Sequence, residues 1–309
     1  MRPVAIGIVG FGKIARDQHV PAIAASPDFE LVAIADPAAG HEAPPAYGDV
    51  SAMLAAHPDI AAVSICTPPG FRAAAARQAI AAGRHVLLEK PPCASLAQAR
   101  ELEKLARAAG VTLFTAWHSQ KAAAVAAARE WLHGRTIEAV RVSWKEDVRV
   151  WHPGQAWIWE KDGFGVFDPG INALSILTAI LPGDLRLAEA DLSVPANCET
   201  PIAARLTLAG NGFAAVAEFD FRQSGPQSWD IEVETGDGRL LLAQGGNSLA
   251  IDGEQRSIGA EGEYPALYAA FAALIRAGAC NVDLAPLKLV EDALRTGRIT
   301  AVAPFEEYA

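Results

Sequence analysis

GIVGFGKIA, residues Gly7–Ala15, is the stretch that decides the fold, because it places two glycines between a predicted strand and a predicted helix. Its spacing is Gly10-x-Gly12-x-x-Ala15. The first glycine permits a tight turn, the second lets backbone N–H groups approach a pyrophosphate, and the small Ala15 lets helix and strand pack closely. The helix N-terminus that follows favours anions. The stretch predicts a dinucleotide site that includes Gly10, Gly12, Lys13 and Ile14.

The first part of the chain alternates short apolar runs with alanine-rich helical stretches. The predicted strands are Val4–Gly10, Glu30–Asp36, Ile60–Thr67, Arg84–Glu89 and Thr112–Trp117. The predicted helices are Lys13–Ala25, Val50–His57, Phe71–Ala82 and Leu96–Ala109. The strands are apolar on both faces, as buried parallel strands are. This alternation predicts an α/β Rossmann-like parallel-sheet domain over residues 1–118.

Asp36 ends the second predicted strand, 21 positions after Ala15. An acidic residue at this place accepts hydrogen bonds from the adenosine ribose hydroxyls and repels a 2′-phosphate. Pro37 follows it, so no adjacent arginine would hold that phosphate. The alternative is a plain turn residue at a strand end. Together with the glycine spacing, Asp36 predicts NAD as the cofactor, with NADP as the second option.

The pattern changes after His118. A predicted helix, Ala122–His133, precedes a long predicted strand, Ile137–Val150, and a helix near Asn172–Leu181. From Arg186 to Ile258 nearly all segments alternate apolar and polar residues, which is typical of an antiparallel sheet with one buried face. Two helices follow, Pro265–Ala277 and Ala285–Thr296. We predict a substrate-binding α+β domain over residues 119–309 with a largely antiparallel open sheet. An option is that the C-terminal helix packs back on the first domain.

Composition excludes several classes of protein. The chain has 309 residues, of which 51% are hydrophobic and 20% charged, as in globular proteins. Its net charge of -10 disfavours a nucleic-acid surface. The N-terminus lacks a signal-peptide pattern, and no apolar run reaches the roughly 18 residues that span a bilayer. The cysteines form no Cys-x-x-Cys pair, so we expect no metal site. We expect a cytoplasmic protein that contacts neither nucleic acid nor membrane.

Two strand ends carry polar residues and prolines. Thr67 and Pro68 follow one apolar run, and Glu89 and Lys90 follow the next, within HVLLEKPP. Because parallel strands deliver their carboxyl ends to the ligand crevice, we expect all four residues beside the cofactor. A lysine next to a cationic nicotinamide is favoured as the amine and can exchange protons near neutral pH. The alternative is a surface ion pair before a helix. Pro91 fixes the backbone after Lys90, and its peptide bond can be cis.

These motifs resemble those of the Gfo/Idh/MocA oxidoreductases, through GIVGFGKIA, ICTPP and HVLLEKPP. The resemblance covers the whole chain, since the second domain also suits the family. Within the family the chain is most similar to the bacterial L-arabinose / D-galactose 1-dehydrogenases. That narrower similarity is carried by GFGKIARDQHVPAI, WHS, RVSWKEDVRVWHPGQAWIWE and GVFDPGINALSI. It implies an NAD(P)-dependent enzyme that oxidises the C1 hydroxyl of a cyclic aldose.

Six of the seven tryptophans lie within residues 117–159, and Trp229 is the other. Aromatic faces cover the apolar side of a pyranose while polar groups bind its hydroxyls. Trp151 and His152 follow a strand end in a polar stretch, so we predict both in the sugar site. Trp131 and Trp144 are predicted in the core. The resemblance implies that Trp229 also contributes to substrate binding.

Two more residues extend the predicted substrate site. His118 ends the last Rossmann-like strand and therefore points to the crevice. Glu146 and Asp147 lie on opposite faces of a regular strand, so at most one of them points inward. The resemblance favours Glu146 as an acceptor for a sugar hydroxyl.

Asp168 and Asn172, in FDPGINAL, are four positions apart. If this segment is helical, both side chains share one side. Asp168 could alternatively be the helix N-cap, with Pro169 at the first helical position. Many family members have histidine where Asn172 stands. Asparagine orients a hydroxyl but takes no proton, which moves proton transfer toward Lys90, with Asp168 assisting.

The predicted reaction is oxidation of a D-galactose, L-arabinose or D-fucose type sugar to an aldonolactone. Lys90, Asp168 and Asn172 are its predicted catalytic residues. Alternatives are an inositol or glucose-type dehydrogenase of the same family and a non-catalytic regulator that senses NAD or a sugar. A homo-oligomer is compatible with all of them.

Overall fold

The structure is a computed structural model that describes residues 2–38, 44–260 and 262–306. Up to His118 its strands are β1 Val4–Val9, β2 Phe29–Ala35, β3 Ala46–Tyr47, β4 Ala62–Ile65, β5 His85–Glu89 and β6 Leu113–Ala116. The helices of the same part are α1 Val20–Ala25, α2 Val50–Ala56, α3 Pro69–Ala81 and α4 Leu96–Ala109. A π-helical segment, Ala15–His19, directly precedes α1.

The later strands are β7 Ile137–Lys145, β8 Arg186–Pro195, β9 Ala203–Ala209, β10 Ala214–Asp220, β11 Ser228–Thr235, β12 Gly238–Ala243, β13 Ser248–Ile251, β14 Glu254–Gln255 and β15 Arg298–Val302. The later helices are α5 Val125–Leu132, α6 Val148–Trp151, α7 Phe167–Ile180, α8 Glu263–Ala277 and α9 Ala285–Thr296. There are also two short 3-10 helices, His118–Lys121, which begins with the predicted site residue His118, and Ala156–Trp159, which contains two of the tryptophans. Among residues 2–38, 44–260 and 262–306, no helix combines the length and apolar character that crossing a bilayer requires.

The chain divides into two compact units. Unit 1 comprises Met1–His118 and Glu263–Leu284, and unit 2 comprises Ser119–Gly262 and Ala285–Ala309. These bounds differ from the predicted domains, because residues 263–284, which contain α8, lie in unit 1. The physical reason is burial: Leu267 and Phe271 of α8 pack in one apolar core with Ile6 and Phe29.

Unit 1 is a parallel six-stranded sheet with the strand order β3-β2-β1-β4-β5-β6. All of its pairings are parallel, and β1, β2, β4, β5 and β6 carry buried aliphatic residues, as the sequence pattern predicted, whereas the two-residue β3 is only partly buried. The order reverses at β1, where chain connections leave in opposite directions and a crevice opens at the strand ends. The glycine turn follows β1, so the fold places it at that crevice.

Unit 2 is built on a nine-stranded sheet with the order β14-β13-β12-β11-β7-β10-β9-β8-β15. Most pairings are antiparallel, but β7 with β10 and β8 with β15 are parallel. Along β10 and the residue on each side of it, Phe213, Ala215, Ala217, Phe219 and Phe221 are buried, as their alternation predicted. Helix α7 packs against α5, α9 and β7 on the apolar side. The predicted fold class, a Rossmann-like domain plus a largely antiparallel α+β domain, is confirmed.

Candidate active site

The glycine turn leaves no room for a side chain at its first position. Gly10 has φ +86°, and a Cβ there would lie 2.7 Å from the backbone nitrogen of Thr67. At Gly12 the space around a Cβ position is open, with no heavy atom within 4 Å. The turn is therefore seated against the end of β4 on one side and exposes its backbone on the other. That exposed backbone suits the close approach of a phosphate group.

Asp36 is fixed beside the same turn. Its Oδ2 accepts a 2.6 Å hydrogen bond from the backbone N–H of Phe11, and its Oδ1 accepts a 2.8 Å bond from that of Ala38. The Thr67 hydroxyl is buried and has no hydrogen-bond partner among the described residues. The open backbone at Gly12, the oriented carboxylate and this hydroxyl together fit a dinucleotide, with its phosphates at the turn and its ribose at Asp36.

The next two residues of the motif are less constrained. The Lys13 side chain is exposed and pairs with Asp17 one helical turn later. Ile14 is partly buried and packs against the apolar core of unit 1. Pro68 precedes the first residue of α3 with φ -54°. Cofactor contacts by Lys13, Ile14 and Pro68 stay predictions.

Glu89, at the end of β5, lies in the interior of unit 1 and is only 1% exposed. One oxygen, Oε1, accepts a 2.7 Å bond from the Tyr264 hydroxyl and lies 3.1 Å from His19 Nε2. The other, Oε2, accepts a 2.7 Å bond from the backbone N–H of Lys90. The side chain is thus enclosed in unit 1, where its carboxylate holds the backbone of Lys90. Cofactor binding by Glu89 stays a prediction.

His19 connects this carboxylate to two hydroxyls. Its Nδ1 lies 2.7 Å from the Tyr268 hydroxyl, which is 2.8 Å from Ser64 Oγ. Burial lowers the pKa of His19, but its interactions with Cys66, Tyr268 and Glu89 outweigh burial and raise that pKa well above the ordinary value. Burial raises the pKa of Glu89, and the hydrogen bond and charge of His19 outweigh it and lower that pKa strongly. Both shifts favour the charged forms, an imidazolium beside a carboxylate.

The Lys90–Pro91 peptide bond is cis, and a buried arginine binds the backbone on both sides of Lys90. Arg72 Nη1 donates to the carbonyl oxygens of Glu89, at 3.0 Å, and of Pro91. Its Nε donates to the carbonyl of Thr67 at 2.7 Å. Arg72 thereby joins the ends of β4 and β5, which were both predicted to flank the cofactor.

His118 follows β6 and belongs to unit 1. Its Nδ1 pairs with the carboxylate of Glu263, and its ring stacks on Tyr264 at a centroid distance of 5.4 Å. The preceding Trp117 is anchored by a 2.9 Å bond from its indole N–H to the carbonyl of Asp283. The carboxylate of Glu263 selects the orientation of the His118 ring.

In unit 2, the carboxylate of Glu146 follows the last residue of β7 and is 2% exposed. Its Oε2 accepts a 2.8 Å bond from the indole N–H of Trp229, and its Oε1 lies 2.9 Å from His152 Nε2. Asp147 points elsewhere and accepts a 3.0 Å bond from the backbone N–H of Arg149. Only Glu146 of the two acidic residues is fully buried, and it is the one that the resemblance favours, although both lie beyond the end of β7 at Lys145.

That same Asp147 also explains an error in the predicted strand. We expected β7 to continue to Val150, but it ends at Lys145 and the short helix α6 begins at Val148. Asp147 is the N-cap of α6, and an N-cap side chain satisfies backbone donors that would otherwise pair in a sheet. The turn into α6 brings His152 back toward Glu146.

Three tryptophans lie side by side next to this carboxylate. The ring of Trp229 stacks on Trp144 at a centroid distance of 5.9 Å and tilts against Trp151 at 4.7 Å. Trp144 is buried, as predicted, whereas Trp151 is 41% exposed. The cluster presents an apolar indole surface beside polar groups, which is the combination that a sugar ring requires.

Helix α7 contributes Asp168 and Asn172. It begins at Phe167 with Val166 as its N-cap, so Asp168 lies within the first turn and is not the N-cap. Asp168 and Asn172 therefore share one face, as expected for a helical segment. The loop before α7 packs closely at Gly163, where a Cβ would lie 1.9 Å from the carbonyl oxygen of Trp157.

His152 Nδ1 lies 4.0 Å from Asp168 Oδ2, beyond hydrogen-bond distance. This nitrogen is buried and has no hydrogen-bond partner within the described part of the chain. A buried polar atom of this kind is costly unless a ligand or water satisfies it. Unit 2 therefore brings together Glu146, Trp151, His152, Asp168 and Trp229, and one polar atom of this set, His152 Nδ1, is unsatisfied.

Comparison with known proteins connects these features to a family. The Gfo/Idh/MocA family model, described as an oxidoreductase family with an NAD-binding Rossmann fold, matches residues 4–117. A galactose 1-dehydrogenase of Pseudomonas fluorescens is 46% identical over 309 residues, covering 99% of both chains. The chain belongs to the Gfo/Idh/MocA oxidoreductase family.

Solved structures share this fold. The crystal structure of a D-galactose-1-dehydrogenase from Rhizobium etli matches with a TM-score of 0.94 and 50% identity, covering 99% of both chains. The WlbA dehydrogenase from Bordetella pertussis, in complex with NADH and UDP-GlcNAcA, matches with a TM-score of 0.81 and 20% identity over 95% of this chain and 96% of its own. At that identity the likeness concerns the fold.

As a member of the Gfo/Idh/MocA family, the protein is an oxidoreductase with an NAD-binding Rossmann domain, which confirms the predicted enzyme class and cofactor type. Several residues around its predicted site were missed from the sequence: His19, Arg72, Glu263, Tyr264 and Tyr268. Each contacts Glu89, His118 or their neighbours from a distant part of the chain. Arg72 lies three positions after the ICTPP motif, which was a weak signal that it is near the site. No local sequence pattern indicated which carbonyl groups it binds.

Proposed function

We propose that the protein is an NAD-dependent aldose 1-dehydrogenase, which oxidises the anomeric hydroxyl of a cyclic sugar of the D-galactose type to an aldonolactone. The observation that carries this proposal is the cluster in unit 2, where an indole surface adjoins Glu146 and the unsatisfied His152 Nδ1. The Pseudomonas fluorescens relative, a galactose 1-dehydrogenase, supports the same substrate class.

Unit 1 holds the cofactor in this proposal. Gly10 and Gly12 receive the pyrophosphate, Asp36 binds the adenosine ribose, and Thr67 offers its buried hydroxyl. The nicotinamide, when bound, accepts the hydride from the sugar. NAD is preferred because the Asp36 carboxylate binds both ribose hydroxyls and repels a 2′-phosphate.

Lys90 is the proposed proton acceptor for the anomeric hydroxyl. It takes the proton as the amine, either directly or through Asp168. Asn172 has an amide that donates and accepts hydrogen bonds but does not titrate, so its proposed role is to orient the reacting oxygen. His118 is proposed to bind another hydroxyl, with its ring held by Glu263.

The sugar ring is recognised by two kinds of group. The exposed Trp151 and its neighbour Trp229 cover the apolar face of the ring, and Glu146 and His152 bind hydroxyls. The two oxygens of Glu146 each already hold one partner, so each still has an acceptor site for a hydroxyl. L-Arabinose, D-galactose and D-fucose share their configuration at C2–C4, so all three are proposed substrates.

The test is the appearance of NADH absorbance with the purified protein across a panel of aldoses, with NAD and with NADP. We expect turnover with D-galactose, L-arabinose and D-fucose and a higher kcat/KM with NAD. Turnover with inositol or D-glucose alone would move the assignment to another member of the family. Binding of NAD and sugar without any turnover would instead indicate a regulator. Homo-oligomerisation, a cytoplasmic location and the lack of nucleic-acid partners stay predictions from the sequence.

A further inference from the structure

Arg72 is an unusual residue for the first turn of a helix. It is the fourth residue of α3 and is only 4% exposed. Removing a guanidinium from water is costly, and the positive end of the helix dipole disfavours a cation at this place. A leucine or methionine would fill the same volume without either cost. The position of Arg72 is therefore better explained by what its N–H groups hold than by packing.

Arg72 donates hydrogen bonds to three backbone carbonyls at two strand ends. Thr67 follows β4, while Glu89 and Pro91 lie directly before and after Lys90. The backbone N–H of Lys90 is bound by the Glu89 carboxylate at 2.7 Å. The peptide groups on both sides of Lys90 are thus fixed, and they are fixed relative to the end of β4.

We propose that Arg72 is a positioning residue for Lys90, which fixes the backbone of the Glu89–Pro91 turn against the Thr67 strand end and so aligns the lysine for proton transfer. A guanidinium suits this task because its planar fork presents several donors in fixed directions, whereas an ammonium is a single point charge on a flexible stem. The charge of Arg72 also stabilises the buried carboxylate of Glu89. This inference rests on the proposed role of Lys90.

The experiment compares full-length Arg72→Lys and Arg72→Ala with the wild type. Arg77→Met is the matched control, because Arg77 lies on the same helix but is exposed and pairs with Glu101. For both Arg72 variants we expect kcat with D-galactose and NAD to fall about 10²-fold, the loss associated with a misplacement of roughly 1 Å. NADH affinity, followed by fluorescence, should change far less. Arg77→Met should match the wild type in both.

Two readouts separate positioning from support of the fold. Ethylguanidinium should restore part of kcat in Arg72→Ala, at a temperature where that variant is folded, and should not restore Lys90→Ala. Amide exchange measured by mass spectrometry should quicken in the peptide that contains Lys90, with unchanged exchange in β9 and β10 of unit 2. Arg72→Lys should show the same faster exchange although it keeps the positive charge.

The outcomes are distinct. If the wild type oxidises none of the aldoses, the proposed function fails, and the exchange of the Lys90 amide alone decides the positioning role. Near-normal kcat and unchanged exchange in Arg72→Lys would overturn the inference. It is also overturned if both Arg72 variants unfold, because Arg72 would then support the fold and nothing more specific.

Discussion

His152 Nε2 lies 2.9 Å from Glu146 Oε1, and this contact orients both side chains from residues only six positions apart. Trp229 donates to the other oxygen of the same carboxylate. The arrangement leaves the opposite nitrogen of the imidazole, Nδ1, buried and unsatisfied near Asp168. Glu146 thus determines which edge of His152 is offered to a ligand.

Replacing Glu146 tests this directly. In Glu146→Gln, the amide N–H₂ would face either the Trp229 indole N–H or His152, so one buried donor would lose its acceptor. An unmet buried donor costs about 1–3 kcal/mol, so kcat/KM for D-galactose should fall about 10- to 100-fold. The effect should be mainly on KM. Glu138→Gln, on the exposed side of β7, is the control and should be silent.

Lys90→Ala should lower kcat far more than it weakens NADH binding. General acid–base catalysis contributes about 10²–10⁴-fold, so we expect a loss of this size in steady-state kinetics. Lys104→Met, an exposed lysine on α4, controls for the loss of a positive charge. Normal turnover by Lys90→Ala would assign proton transfer to another group.

Cofactor choice should depend on Asp36. In Asp36→Ser the repulsion of a 2′-phosphate disappears and one ribose acceptor is lost. The ratio of kcat/KM for NAD to that for NADP should therefore decrease, chiefly through a higher KM for NAD. Asp59→Ser, an exposed residue of the same unit, should leave the ratio unchanged. A wild-type preference for NADP would contradict the assignment of Asp36.

The configuration at C4 should decide between sugars. A pocket that binds hydroxyls with buried polar groups rejects an epimer strongly, since the misplaced hydroxyl leaves those groups unpaired. D-Glucose, the C4 epimer of D-galactose, should be a much poorer substrate. L-Arabinose lacks only the CH₂OH group and should react. Equal kcat/KM for D-glucose and D-galactose would mean that C4 is not recognised.

Stability at mildly acidic pH should depend on His85. Its Nδ1 accepts a 3.0 Å bond from the backbone N–H of Thr112, and burial lowers its pKa. Below the unfolded value of about 6.5, the unfolded chain binds the proton more readily than the folded protein. The free energy of unfolding should therefore fall as the pH decreases through that value.

The measurement is denaturant unfolding at about pH 7.5 and about pH 5.5, on either side of the histidine pKa, for the wild type and His85→Asn. Asparagine keeps an acceptor but does not titrate, so the variant should lose less stability on acidification. The raised pKa of His19 acts in the opposite direction, but His19 is present in both proteins and its effect cancels in the comparison. If the free energy of unfolding fell equally in the wild type and in His85→Asn, His85 would be excluded as the cause of the acid sensitivity.

Local patterns were sufficient for much of the fold and part of the site. Gly10, Gly12 and Asp36 could be placed because turn chemistry and spacing along the chain define a β-α-β dinucleotide motif. Glu146 was preferred over Asp147 through the family resemblance, since strand alternation indicated only that at most one of the two points inward. The inferences on Gly10, Gly12 and Asp36 depend on residues within one or two neighbouring elements.

Other features depend on contacts that no local pattern contains. His19 and Tyr268 are 249 positions apart, and their bond exists because α8 joins unit 1. Glu89 is buried because of the same helix, whose Tyr264 hydroxyl donates a hydrogen bond to its carboxylate. The end of β7 was missed because the capping of α6 by Asp147 competes with continued strand pairing.

The late arrival of α8 has a consequence for biosynthesis. The ribosome releases residues 1–118 early, but Leu267, Tyr268 and Phe271, which complete the core of unit 1, emerge only after strands β7 to β14 of unit 2. Until α8 is synthesised, the nascent Rossmann unit therefore exposes part of its apolar surface. Exposed apolar surface of this kind binds chaperones and promotes aggregation. A gene truncated after His118 would encode this incomplete state permanently. Direct fusion of residues 263–284 to residue 118 would be the minimal way to produce unit 1 as an autonomous fragment.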